Sequence, residues 1–212
     1  MHAGGGRHQG PNEAARPTGG ALNQVAITVR DWPARTARRA VGSPYSRWLV
    51  PWSGSAHARL KSYDPATGTW NELSPLPKAR DHLAVVAAEG KIHAIGGRIT
   101  TPTDRTGEHD IYDPKTNSWS GAPPLPTARS GLAYALYRGM IVVLGGELPP
   151  NTFAENEAFD PKSMSWRTLA SMPAGRHGTS AAVIGNNIYV AAGSLKPGSG
   201  GVTDQLIVFT MP

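Results

Sequence analysis

The chain is 212 residues long, carries a formal net charge of +6 and contains no cysteine, which excludes disulfides and cysteine-ligated zinc. With 25 glycines, 19 prolines and 39% hydrophobic residues it reads as a turn-rich β protein, and no apolar run is long enough to span a membrane. The opening residues Met1-His2-Ala3-Gly4-Gly5-Gly6-Arg7 lack an apolar segment, so no signal peptide is legible. The expected compartment is the cytoplasm, or a secreted or periplasmic one if the true N-terminus is missing.

Residues 1–55 come first and are basic and rich in Gly, Pro and Arg. They hold seven arginines against two acidic residues, so most of the net charge sits there. No periodicity is visible, which predicts an irregular, disordered N-terminal extension. A second reading is a disrupted repeat, because Trp48-Leu49-Val50-Pro51-Trp52-Ser53-Gly54 stands where inner strands would precede residue 58. Arg30, Arg35, Arg38 and Arg39 cluster, but aromatic interleaving is sparse, so no nucleic-acid partner is expected.

From residue 58 onward the chain repeats. Tyr63-Asp64-Pro65 with Trp70 is followed by Tyr112-Asp113-Pro114 with Trp119, then by Phe159-Asp160-Pro161 with Trp166, at intervals of 49 and 47 residues. Arg80, Arg129 and Arg176 keep the same phase. So do Gly96-Gly97, Gly145-Gly146 and Ala192-Gly193, and so do Ile92, Ile141 and Ile188. A period near 50 with several markers in one phase predicts a propeller built by radial repetition.

Within each repeat, two short apolar runs flank a tight turn: 83–88 and 91–96, 132–137 and 140–145, 179–184 and 187–192. They read as hairpins of buried strands. The third strand ends at Asp-Pro, since proline cannot donate to a ladder, and the Trp opens an outer fourth strand. Gly68 and Asn117 suit the left-handed turn between them, whereas Met164 does not, and Met164 with Ala192 marks the third copy as drifted. No long 3.6-residue period exists, so helix is not expected.

At YDPATGTW, YDPKTNSW and FDPKSMSW, with a hydrophobic-Gly-Gly run upstream of each later copy, the chain resembles the kelch family over roughly 58–210. The resemblance implies four-stranded β blades closing into a ring, with repeats at about 58–97, 98–146, 147–193 and a partial 194–212. Strand counting gives two strands at 58–73, complete blades at about 80–121 and 129–169, and three strands at 177–209. The fold class is therefore all-β: an incomplete kelch-type propeller, an open arc of about three antiparallel blades. Propellers close with four to eight blades, so this array needs a second copy or further blades to make a ring, or it is a fragment of a larger kelch protein.

Arg80, Arg129 and Arg176 recur in every copy, which predicts a structural guanidinium bonding loop carbonyls between neighbouring blades. Trp70, Trp119 and Trp166 are expected between adjacent blades. Gly96, Gly97, Gly145, Gly146 and Gly193 are expected where backbones crowd the axis. Residues that differ between copies are the binding candidates. The family resemblance places partner contacts on one rim, which here maps to Asp81, His82, Arg98, Glu147 and His177, beside Ser130 and Ser194. The loops 98–108, 147–154 and 194–203 would carry specificity.

The function expected is a protein- or carbohydrate-binding module rather than an enzyme, with no cofactor and no metal. Among kelch-type enzymes, the galactose-oxidase type needs a cysteine-modified tyrosine that this chain cannot make. A sialic-acid mutarotase type would need a base beside an arginine, and Glu147 with Arg98 or Arg129 is the alternative to test.

Overall fold

The computed structural model describes residues 58–64, 66–99, 104–198 and 200–210. The readings made for residues 1–55 lie outside the described residues. Every regular element among those described is a strand, so no helix there is long and apolar enough to cross a membrane.

The front of the arc is a two-stranded hairpin, β1 (Leu60–Asp64) with β2 (Thr69–Leu73). A four-stranded antiparallel blade follows: β3 (Ala84–Ala88), β4 (Lys91–Ile95), β5 (His109–Asp113) and β6 (Ser118–Ala122). The second blade is β7 (Ala133–Tyr137) and β8 (Met140–Leu144), then β11 (Asn156–Asp160) and β12 (Ser165–Leu169). Between its halves, residues predicted as loop form a short hairpin, β9 (Glu147–Leu148) with β10 (Asn151–Thr152). The last blade has three strands, β13 (Ser180–Ile184), β14 (Asn187–Ala191) and β15 (Leu206–Phe209). β1 and β2 make no contact with β13–β15, so the described blades form an open arc.

Each turn between the third and fourth strands follows from its sequence. The aspartate carboxylate accepts the backbone N–H two residues on: Ala66 to Asp64 at 2.8 Å, Lys115 to Asp113 at 2.9 Å and Lys162 to Asp160 at 2.9 Å. These bonds hold all three carboxyls below the usual carboxylate range. Gly68, Asn117 and Met164 then take the positive φ that closes the turn, at 70°, 50° and 54°. Met164 adopts the left-handed conformation although its side chain disfavours it, because the two flanking strands fix the loop length.

The core lies between blades rather than within them. Ala84, Val86, Ala88 and Ile95 of the first blade pack against Ile141, Val143 and Phe159 of the second. Ala135, Tyr137, Val142 and Ala158 of the second pack in the same way against Ile188 and Val190 of the last. Full burial of each large aliphatic side chain contributes about 1.5–3 kcal/mol, so neighbouring blades stabilise one another. Trp119 sits between the front hairpin and the first blade, and Trp166 between the first and second blades; their indole N–H groups donate to the Ser74 and Pro123 carbonyls in front of them, both at 2.8 Å. Trp70 departs from the expectation: it is 50% exposed and stacks on Tyr63, with no described blade in front of it.

Candidate binding rim

The rim is founded on three buried arginines. Arg129 is fully buried and donates to the Gly145 carbonyl at 2.6 Å, to Thr127 O at 2.7 Å and to Glu157 at 2.5 Å. Arg80 donates to Ala94 O at 2.9 Å and pairs with Asp110 at 2.7 Å. Arg176 donates to Ala192 O at 3.0 Å and to the Gln205 side-chain carbonyl at 3.1 Å. These carbonyl bonds lie within each arginine's own blade, not between neighbouring blades as read from repetition. Contact between blades comes from the arginine backbone: Gly97 and Gly146 donate to Arg129 O and Arg176 O at 3.0 and 2.8 Å. Gly97 sits at φ +103°, and an added Cβ would lie 2.6 Å from the Asp81 carbonyl, so a side chain has no room there.

The acidic partners escaped sequence reading. Asp110 and Glu157 sit opposite Ala94 and Val143, and the same register position in the last blade is Ile207, opposite Val190. The signal was available two residues ahead of Tyr112 and Phe159. Burial pushes the Arg129 guanidinium down and Glu157 opposes that, whereas burial pushes Arg176 down with no carboxylate among the described residues to oppose it.

Just beyond the arginines, short antiparallel bridges form the rim: Asp81 with Arg98, Ser130 with Glu147, and His177 with Ser194. The five candidate residues fall into two clusters. Asp81, His82 and Arg98 meet in the first blade, half-buried, with Arg98 Nε 2.6 Å and His82 Nδ1 3.0 Å from Asp81 Oδ1. Burial alone would raise the Asp81 carboxyl, but the hydrogen bonds from His82 and Arg98 hold it below its usual range. Glu147 and His177 meet between the second and last blades, with His177 Nδ1 3.4 Å from Glu147 Oε2. The Gly198 amide donates to Glu147 at 2.9 Å and His177 Nε2 donates to the Lys196 carbonyl at 2.9 Å. The loop after Ser194 therefore covers this pair and both residues are buried, contrary to the exposed rim position read from sequence.

Neither pairing required for the sugar-enzyme alternative is formed. Arg98 is held by Asp81, Arg129 by Glu157, and Glu147 by Gly198 and His177. No group of three or more metal-ligating side chains occurs among the described residues.

The model of the KLHDC2/KLHL20/DRC7 Kelch-repeats domain matches residues 22–209, beginning within the basic segment. The chain is 38% identical over 52 residues to the Kelch-like protein terF of Aspergillus terreus, covering 23% of this chain and 11% of that protein. It is 40% identical over 52 residues to Kelch domain-containing protein 7A of Mus musculus, covering 24% of this chain and 7% of that one. The solved structure of YjhT superposes with a TM-score of 0.65 at 19% identity, covering 72% of this chain and 56% of that chain, which shows the fold. The chain thus spans a small part of these curated relatives and about half of YjhT. Because that family model matches residues 22–209, most of the chain and all of its described blades up to Phe209, the chain belongs to the kelch-repeat family.

Proposed function

We propose that the chain is a protein-binding module that engages its partner through the rim cluster Asp81, His82 and Arg98. The observation that carries this reading is the contrast between two layers. The buried arginines are the same in all three blades, whereas the bridge residues directly beyond them are Asp81–Arg98, Ser130–Glu147 and His177–Ser194. A shared layer serves the scaffold, and a varied layer on a rigid scaffold serves recognition. Of the varied charged residues, Asp81, His82 and Arg98 remain accessible, while Glu147 and His177 act by holding the 195–198 loop in place.

The test is a binding comparison on the full chain. Asp81→Ala with Arg98→Ala abolishes capture of the partner enriched by the unmodified protein, while Lys115→Ala with Lys162→Ala on the outer turns preserves it. The reverse pattern puts the contact on the wrong face. Capture of a polysaccharide in place of a protein, or saturable turnover of a sugar, overturns the protein-binding reading.

A further inference from the structure

The interface between the first two blades is left unfilled at its turn end, away from the rim. The two sheets share one register there: Ala88 pairs with Lys91 as Tyr137 pairs with Met140. Tyr137 is 1% exposed, packs against the last blade and donates its hydroxyl to the Asn186 carbonyl at 2.8 Å. Ala88 offers only a methyl group at the same position. On this face of the first blade a cleft of about 190 Å³ opens toward the β11–β12 turn of the second. Ile111, Pro161 and Met164 give it apolar walls, the buried His93 lies beneath, and Glu89 and Lys91 stand exposed at its edge.

His93 is arranged to accept a hydrogen bond. Its Nδ1 lies 2.8 Å from His109 Nε2, and His109 Nδ1 lies 3.2 Å from the Pro123 carbonyl. A carbonyl only accepts, so the His109 proton sits on Nδ1 and its Nε2 accepts from His93. Burial keeps both rings neutral, with pKa values of about 4. His93 Nε2 is left with a lone pair, no partner among the described residues, and access to the cleft. The second blade has Val142 at this register position, so its sheet offers no such acceptor.

Met164 is an independent sign. The equivalent turns close with Gly68 and Asn117, whereas Met164 holds φ +54° and lines the cleft. A bulky residue kept in a strained backbone conformation marks a position where the side chain is used. Its thioether also makes favourable contacts with aromatic rings.

We propose that this cleft binds a single neutral aromatic ring of the phenol class, its hydroxyl donating to His93 Nε2 and its ring lying against Ile111, Pro161 and Met164. The volume falls below the roughly 300–1,000 Å³ of sites for drug-sized ligands and suits one ring. A donor is required because the relay from Pro123 fixes His93 as an acceptor. Glu89 and Lys91 offset each other in charge, which favours a neutral ligand. A free phenol and the tyrosyl side chain of a partner present this chemistry alike. The site lies at the opposite end of the strands from the Asp81–Arg98 rim and does not depend on it.

The test is a titration of the full chain with 4-methylphenol, following the ligand's proton resonances and, in the unmodified protein, the His93 Nε2 resonance. Both move saturably with 4-methylphenol, and toluene, which has the ring without the hydroxyl, leaves Nε2 in place. His93→Val weakens binding about tenfold, the loss of one hydrogen bond. Met164→Gly removes a wall, keeps the fold and also weakens binding, so the proposal stays open to refutation if the histidine variant fails to fold. Gly-Tyr-Gly separates the sources: binding as tight as that of 4-methylphenol assigns the site to a partner's side chain, and weaker binding assigns it to a free phenol. No saturable shift with 4-methylphenol, an equal Nε2 shift with toluene, or unchanged binding in either variant overturns the proposal. Asp81→Ala with Arg98→Ala leaves phenol binding unchanged, so failure of the rim reading is read separately.

Discussion

Arg176 is the weak point of the scaffold, and replacing Gln205 with glutamate should strengthen it. Arg129 and Arg80 each have a carboxylate within 2.7 Å, whereas Arg176 is as buried and meets the neutral Gln205 amide at 3.1 Å. Gln205→Glu keeps the shape and puts a negative charge at that distance. Two unit charges about 3 Å apart attract by about 5 kcal/mol at an effective dielectric near 20. Position 205 is exposed, so solvent screening takes most of that, leaving about 1 kcal/mol of net gain. For a chain of this size that is a rise in Tm of about 2–4 °C. The reciprocal change, Glu157→Gln, strips the partner from a buried cation and should cost about 3–5 kcal/mol. Urea melts at neutral pH read both. The new carboxylate's folded pKa is depressed by Arg176, so its gain is present above about pH 4.3 and lost as pH falls through the folded value. A neutral or destabilising Gln205→Glu, or a gain that survives acidification, would refute the view that Arg176 lacks a counter-charge.

Two further changes repair the drifted copy: Ala192 has φ +55° where the other blades have glycine, so Ala192→Gly should raise the unfolding free energy by about 1 kcal/mol, read as a higher urea midpoint. Met164→Gly should do the same at φ +54°, and no change in either midpoint means the backbone is unstrained there. Acid should loosen the contact between the first two blades through His93 and His109, whose Nδ1 and Nε2 atoms lie 2.8 Å apart and whose pKa values are both pushed down to about 4, mainly by burial. Their unfolded value is about 6.5, so that stability is complete above this pH and is lost progressively as pH falls toward 4, seen as a midpoint that drops over this window. Asn156 donates to the Ala170 carbonyl as His109 donates to Pro123 O, so His109→Asn should flatten the pH dependence while keeping the bond; an unchanged slope would assign it to other groups.

Repetition made the scaffold legible and left the pairings obscure, for a physical reason. A turn such as Tyr112-Asp113-Pro114 is specified by neighbours in sequence, since Asp113 bonds a backbone amide two residues away, so a single copy announces it. Hairpins such as 84–95 are equally local, and their predicted limits lie within a residue of those observed. Arg129 is different: its Glu157 partner lies 28 residues on, across two strands, and only the register of β8 with β11 brings them together. Trp70 holds the same repeat position as Trp119 and Trp166 yet is exposed, because burial depends on what stands in front of a residue and no described blade stands there.

The same distinction bears on recognition. Rim residues could be singled out by their variation, but Glu147 and His177 were satisfied by the Gly198 amide and the Lys196 carbonyl, partners with no repeat to reveal them. Asp81 and Arg98 are satisfied by each other, so a partner that binds them must replace that ion pair and gains only the difference. The strongest ligand for this cluster is one presenting a carboxylate to Arg98 and a donor to Asp81 at once, as a protein surface with paired charges does. Binding through it should weaken steeply with salt, and binding indifferent to salt would place the contact elsewhere on the arc.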